Sequence, residues 1–202
     1  MALVDANYRF IYIDVGSCGR NSDGGTFQKC SLNQGMQENS LNIPAPSELP
    51  KAVELGKLPY VKVADEAFPL EASIMCPYPG KKMSYEQSIF NYRLCRVRRI
   101  VENAFGILSA RWRVFHTKIN LPPSFVISIV KAACCLHNFL CNDVAFLEDS
   151  NENNSVPLLR NLRKRGYRSK REAIDVRKKF ATYFNDHDVL EHQHAVVSRG
   201  KF

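Results

Sequence analysis

Between Ser84 and Arg113 apolar residues return every three or four positions: Phe90, Leu94, Val97, Val101, Phe105, Leu108 and Trp112. That period predicts one face of a long α-helix and excludes a strand. Ser84, followed three residues later by Gln87, reads as a capping box at the start. Arg93, Arg96, Arg98, Arg99, Arg111 and Arg113 line the other faces. Pro122 and Pro123 then open a second helix, Ser124 to Cys141. It is apolar almost all round and is expected to be buried.

The chain before these helices has a different grammar. Phe10-Ile11-Tyr12-Ile13-Asp14-Val15 alternates aromatic and β-branched residues after an Asp5-Ala6-Asn7 turn, which predicts two antiparallel strands. Gly16 to Gly25 is a loop by composition, with Ser22 or Asp23 placed to cap a short helix through Phe27. From Gln34 to Leu58 the chain is polar and broken by Pro44, Pro46 and Pro50, the mark of a surface insertion. Tyr60 to Asp65 is expected to be a third strand that ends on an acid. After a polar break at Asp149 to Asn154 come a basic stretch, Arg160 to Arg171, and an amphipathic helix near Ala173 to Phe184. The expected organisation is an α/β domain over 1–141 and a partly helical basic extension over 142–202.

The 202 residues carry a formal net charge of +8. Residues 1–84 hold 8 basic and 9 acidic residues, residues 85–141 hold 8 and 2, and residues 142–202 hold 12 and 9. The positive charge therefore sits in the middle helices and less cleanly in the tail. A localised basic face points to a polyanion partner; a solvated helix face is the plainer account. No run of eighteen apolar residues occurs, so no membrane span is expected. The seven cysteines include no Cys-x-x-Cys pair. They are expected to be reduced thiols packed as small hydrophobes, without a zinc site. No phosphate-binding glycine loop or nucleophile elbow is present.

Three acids stand in suggestive places: Asp23 in the glycine-rich loop, Asp65 at a strand end, and Glu102 on the arginine-rich helix. Hard divalent cations take carboxylate oxygens from several elements, and paired ions can clamp both oxygens of a phosphodiester exchange. Each acid also has a structural reading. Asp23 can cap a helix, Asp65 can shape a turn, and Glu102 can pair with Arg98 or Arg99 one turn back. His137, in an apolar helix, reads as a hydrogen-bonded core histidine, and Asn138 as a group that bonds backbone. His187, His192 and His194 read as solvated, and Trp112 as core.

Several segments together resemble one family. Phe10 to Gly16 with Gly19-Arg20-Asn21-Ser22-Asp23, then Val63-Ala64-Asp65-Glu66-Ala67-Phe68-Pro69-Leu70, then Phe90-Asn91-Tyr92-Arg93 through Arg98-Arg99-Ile100-Val101-Glu102-Asn103-Ala104-Phe105-Gly106, and finally Leu136-His137-Asn138-Phe139-Leu140 fall in order. This resembles the DDE nuclease domain of PIF/Harbinger transposases and the nucleases derived from them, over roughly residues 2–141. Thirty-six residues separate Asp65 from Glu102, the gap this resemblance leads one to expect.

The resemblance implies an RNase H-like fold, a mixed sheet with its first three strands antiparallel and helices on its flanks. It implies Asp65 and Glu102 as catalytic ligands of Mg²⁺ or Mn²⁺, with Asp23 as a further acid of the metal site. Arg96, Arg98, Arg99, Arg111 and Arg113 then become candidate DNA-backbone contacts. It also implies a nuclear protein, cytoplasm being the alternative, that works on DNA with a separate Myb-like DNA-binding partner and has no membrane role. One departure stands out: the family's first catalytic Asp belongs to a strand upstream of the hairpin, and no Asp in residues 1–22 has that context. The chain is thus expected to lack its first strand and to be an impaired metal-dependent endonuclease. The alternative is a non-catalytic, domesticated DNA- or protein-binding module.

Overall fold

A computed structural model describes residues 1–17, 22–80, 82–141 and 171–200. Gly19 to Asn21, the polar break near Asp149 and the basic stretch up to Lys170 lie outside the described residues. The fold is mixed α/β. It divides into two compact units, each discontinuous in sequence: Met1–Asn33 with Arg99–Arg160, and Gln34–Arg98 with Asn161–Phe202.

In the first unit, β1 (Ala2–Val4) and β2 (Phe10–Ile13) form the expected antiparallel hairpin, with Ala2 opposite Ile13 and Val4 opposite Phe10. Asp5 makes its turn: one carboxylate oxygen accepts from the Asn7 and Arg9 amides at 2.8 and 2.9 Å. Tyr8 takes a left-handed φ of 63° there. Helix α1 (Asp23–Lys29) is capped by Ser22, whose Oγ accepts from the Gly25 amide at 3.2 Å. Helix α2 (Ser31–Gln37) follows.

The long helix α3 (Tyr85–Arg111) begins with the expected capping box. The Ser84 amide donates to Gln87 Oε1 at 3.1 Å, and the Gln87 amide donates back to Ser84 Oγ at 3.2 Å. Its apolar stripe differs from the sequence reading in the middle. Ala104 and Leu108 join Phe10, Ala133 and Cys134 in the core of the first unit, while Phe90 and Leu94 belong to the core of the second. Val97 and Phe105, expected in the stripe, are exposed. Phe90, Leu94, Ala104 and Leu108 still fall within about 40° of one line along the helix, and exposed Val97 interrupts it. Trp112 packs against the first core, as read.

Helix α4 (Pro123–Leu140) starts on the proline pair as expected. It is not a buried helix, however: Ala133, Cys134 and His137 are its buried residues, and Phe125, Leu136 and Phe139 are exposed. Composition had concealed a helix that buries one side and leaves an apolar face in solvent. What fixes the buried side is a clasp on β2. Asn138 Oδ1 accepts from the Phe10 amide and its Nδ2 donates to the Phe10 carbonyl, both at 2.8 Å. His137 Nε2 donates to the Tyr8 carbonyl at 2.8 Å, and its ring meets Phe10 edge-on at 5.1 Å. Burial pushes the imidazole pKa down, opposed by that bond. The core-histidine reading holds, and Asn138 bonds backbone.

In the second unit the polar stretch expected to be an insertion contains a hairpin, β3 (Ser47–Leu49) with β4 (Ala52–Leu58). Pro50-Lys51 is its turn, with Lys51 at φ 61°. Ala52 and Leu58 are the buried ends of β4, so the segment carried too little apolar signal to read as a strand. β5 (Lys62–Val63) is the third strand in shortened form. It pairs in parallel with β6 (Ile74–Met75). Among the described residues the three strand pairs form three separate two-stranded sheets, not the single sheet with three antiparallel strands that the resemblance implied.

Helix α5 (Arg171–Thr182) supplies Ala173, Val176 and Ala181 to the core built on Leu58, Leu70, Met75, Phe90 and Leu94. Helical spacing gives it that face, and a π-turn (Tyr183–His187) leads on to α6 (Gln193–Ser198). A second clasp appears here. Asn91 Oδ1 accepts from the Tyr78 amide at 2.7 Å, and its Nδ2 donates to the Tyr78 carbonyl at 3.0 Å. His192 and His194 are exposed as read, His194 Nδ1 bonding the Tyr85 hydroxyl at 2.9 Å, whereas His187 is half-buried with Nε2 3.2 Å from Glu54.

Replacing Asn138 by Ala strips both main-chain groups of Phe10 of these partners. Each such part-buried group costs about 1–3 kcal/mol. Chemical denaturation is expected to show a loss of about 2 kcal/mol or more. A loss within experimental error would mean that the clasp is not what holds β2 to α4.

Candidate functional site

Asp65 leaves β5 two residues after its last strand position. The Ala64 amide before it donates to the Met75 carbonyl at 2.9 Å, which continues the parallel pairing. One oxygen of the Asp65 carboxylate accepts from the Ala67 amide at 2.9 Å, and the Asp65 carbonyl accepts from the Phe68 amide at 3.3 Å. This Asx-turn is the structural role read from sequence, and it fixes the direction of the carboxylate. The Phe68 and Pro69 carbonyls face the Cys76 thiol, at 3.5 and 3.7 Å from Sγ. Burial, with the negative charge of Asp65 next in size, pushes the Cys76 thiol up to about 12.

Glu102 is half-buried on α3, two residues before the fully buried Ala104. It belongs to the first unit, as does Asp23, whereas Asp65 belongs to the second. Asp23 is exposed in the first turn of α1, where Ser22, not Asp23, is the cap. Carboxylate oxygens are the right donors for a hard divalent cation. Among the described residues, no group of three or more His, Cys, Asp or Glu is placed to hold a metal ion.

Of the five arginines singled out, Arg96, Arg99, Arg111 and Arg113 are exposed and Arg98 is half-buried. Arg96 also reaches the Tyr92 hydroxyl at 3.3 Å.

Sequence reasoning missed two arginines that are structural. Arg93 donates to the Asp188 carbonyl at 2.9 Å, pairs with the Asp188 carboxylate, and lies 4.6 Å over the Phe184 ring. Arg177 donates to the Cys76 and Pro77 carbonyls at 3.4 and 3.3 Å and lies 4.0 Å over Tyr78. Burial lowers the Arg177 pKa and raises that of Tyr78. The alternating charge of the tail masked these roles. The one available signal was the amphipathic spacing of α5.

The family model described as DDE superfamily endonuclease matches residues 1–138. The chain is 28% identical over 144 residues to a protein named ALP1-like from Arabidopsis thaliana, covering 69% of this chain and 34% of that protein. It thus spans about a third of the length of the curated relative it matches. No solved structure matches it.

The thiols provide a check on this geometry. Iodoacetamide at pH 8 is expected to modify exposed Cys135 well before buried Cys76, as followed by peptide mass spectrometry. Because the folded thiol titrates higher than its ordinary value of 9.0, folding favours neutral Cys76. That contribution is whole below pH 9 and is lost as pH rises from 9 toward 12. Cys76→Ala should flatten the alkaline limb of the stability profile; an unchanged limb would contradict the assignment.

Proposed function

The chain belongs to the DDE superfamily endonuclease family, and we propose that it carries part of a divalent-metal-dependent DNA endonuclease of the Harbinger transposase-derived type. Asp65 and Glu102 are the proposed ligands of Mg²⁺ or Mn²⁺, with Asp23 as a further acid. Such an ion, when bound, polarises phosphate and activates water. The chain's own groups have separate tasks. The Asx-turn holds the Asp65 carboxylate in one orientation, and Arg96, Arg98, Arg99, Arg111 and Arg113 neutralise phosphates of the DNA backbone. An RNase H-like arrangement, a nuclear location and a Myb-like DNA-binding partner belong to the same proposal. Its main support is the α3 motif around Glu102 with Asp65 at the matching spacing, inside the matched residues 1–138.

A second reading is a non-catalytic DNA- or protein-binding module. It is favoured by the fact that no three-ligand group is assembled among the described residues. Plasmid nicking in Mn²⁺ distinguishes the two. Under the first reading, Glu102→Gln and Asp65→Asn each lower nicking about a hundredfold or more. Nicking that survives both substitutions removes them from the site. DNA binding that ignores EDTA, with no nicking, establishes the second reading. In either case Arg111→Ala with Arg113→Ala should reduce the slope of log affinity against log salt by about two.

A further inference from the structure

Helix α4 presents a large apolar face that the other described residues leave uncovered. Phe125 is 62% exposed, Leu136 48% and Phe139 74%. Phe125, Ala132 and Phe139 recur about every two turns, so they share one side of the helix with Ser128, Cys135 and Leu136. The opposite side holds the buried Ala133, Cys134 and His137. Exposed aromatic residues in a row of this kind mark an interaction surface more than an ordinary solvent face.

Charge narrows the choice of occupant. No Asp or Glu occurs from Asn103 to Cys141, while Arg111, Arg113, Lys118 and Lys131 do, and all four are exposed. Lys131 stands beside the face at mid-helix, and Lys118 shortly before its start. A partner that buries its own apolar side here therefore carries acids at its edges. A second copy of α4 suits the aromatic residues, since an antiparallel pair centred on Ala132 sets Phe125 against Phe139. The same symmetry puts both Lys131 ammonium groups on one rim near the axis, a like-charge contact. By length and composition α4 would also pass for a membrane span. Its mid-helix lysine and the bonds of His137 and Asn138 to the β1–β2 hairpin favour a surface helix.

We propose that the exposed face of α4 is a docking site for an acidic amphipathic helix of a protein partner, with Phe125, Leu136 and Phe139 as apolar contacts and Lys118 and Lys131 as charge contacts. The arrangement is that of an amphipathic helix laid into an apolar surface. It draws on none of the acids of the nuclease reading and stands or falls separately from it.

The probe is a fluorescein-labelled helical peptide that matches α4 in its 18 residues, with Leu at three- and four-residue steps and Glu elsewhere. A scrambled peptide of the same composition is the control. Anisotropy with the full chain is expected to show binding of the patterned peptide alone, weakened by salt. Phe139→Ser should weaken it by about tenfold or more. Lys131→Glu should weaken it less, and a Lys-for-Glu peptide should restore part of that loss. Both substitutions lie on exposed positions, so an unchanged melting temperature shows that the fold is intact. Equal binding of patterned and scrambled peptides overturns the proposal. So does concentration-dependent dimerisation abolished by Phe139→Ser without peptide binding, which assigns the face to a second copy. Co-sedimentation with anionic phospholipid vesicles, or capture of a single-stranded oligonucleotide, when lost in Phe139→Ser and unaccompanied by peptide binding, overturns it equally.

Discussion

Both units of this chain depend on the same small device, an asparagine on a helix that takes both main-chain groups of one aromatic residue on an extended segment. Asn138 does this to Phe10, and Asn91 does it to Tyr78. In each case the residue just before the asparagine is fully buried and meets the same aromatic ring edge-on, His137 on Phe10 and Phe90 on Tyr78. An amide side chain has one acceptor and one donor group at fixed geometry, so it satisfies a backbone N–H and C=O together, as a neighbouring strand would. The short strands leave backbone groups that need partners, and at Phe10 and Tyr78 a helix provides them. The strand pairs of two to seven residues can be held in place by helices without a continuous sheet.

This changes how the motif residues divide their work. In Phe90-Asn91-Tyr92-Arg93, the first two build the clasp and Arg93 anchors the segment after α5 through Asp188 and Phe184. A conspicuous arginine on the helix that carries Glu102 is thus committed to holding the fold. Arg96, Arg99, Arg111 and Arg113 lie at exposed positions. Asp65 is likewise structural at one oxygen, through its turn, and that bond orients the rest of the carboxylate.

Much of this was legible in the sequence where a local rule acts alone. The Ser84–Gln87 capping box, the Asp5 turn, the proline start of α4 and the amphipathic α5 follow from spacing and residue chemistry, and all appear. The failures came where tertiary structure sets the answer. The β3–β4 hairpin has exposed side chains over most of its length, so no alternation announces it. β6 is two residues long and is specified by what it pairs with, β5 and the bridge from Ile74 to Glu71. The helix α4 has the composition of a core and the exposure of a surface, a distinction that depends on what lies opposite it. Asp23, Asp65 and Glu102 could be picked out as acids in suggestive places, but whether acids distant in sequence converge is not encoded in any one segment.

Charge sets the remaining constraint on Glu102. It is the sole carboxylate between Glu86 and Asp143, in a stretch that carries eight cationic residues. Arginines near an acid compete with any other cation for its oxygens. A dication brought to such an acid meets repulsion from the same guanidinium groups, and polyanionic phosphate is what offsets it. If Glu102 serves a metal, its affinity for that ion is therefore coupled to occupancy of the arginine face by DNA. Linkage makes the coupling reciprocal, so the ion strengthens DNA binding by the factor by which DNA strengthens ion binding. Were Glu102 only the partner of Arg98 or Arg99 on a solvated helix, DNA binding and metal concentration would vary independently. The sign and size of that coupling separate an acid that belongs to a site from one that merely balances its neighbours.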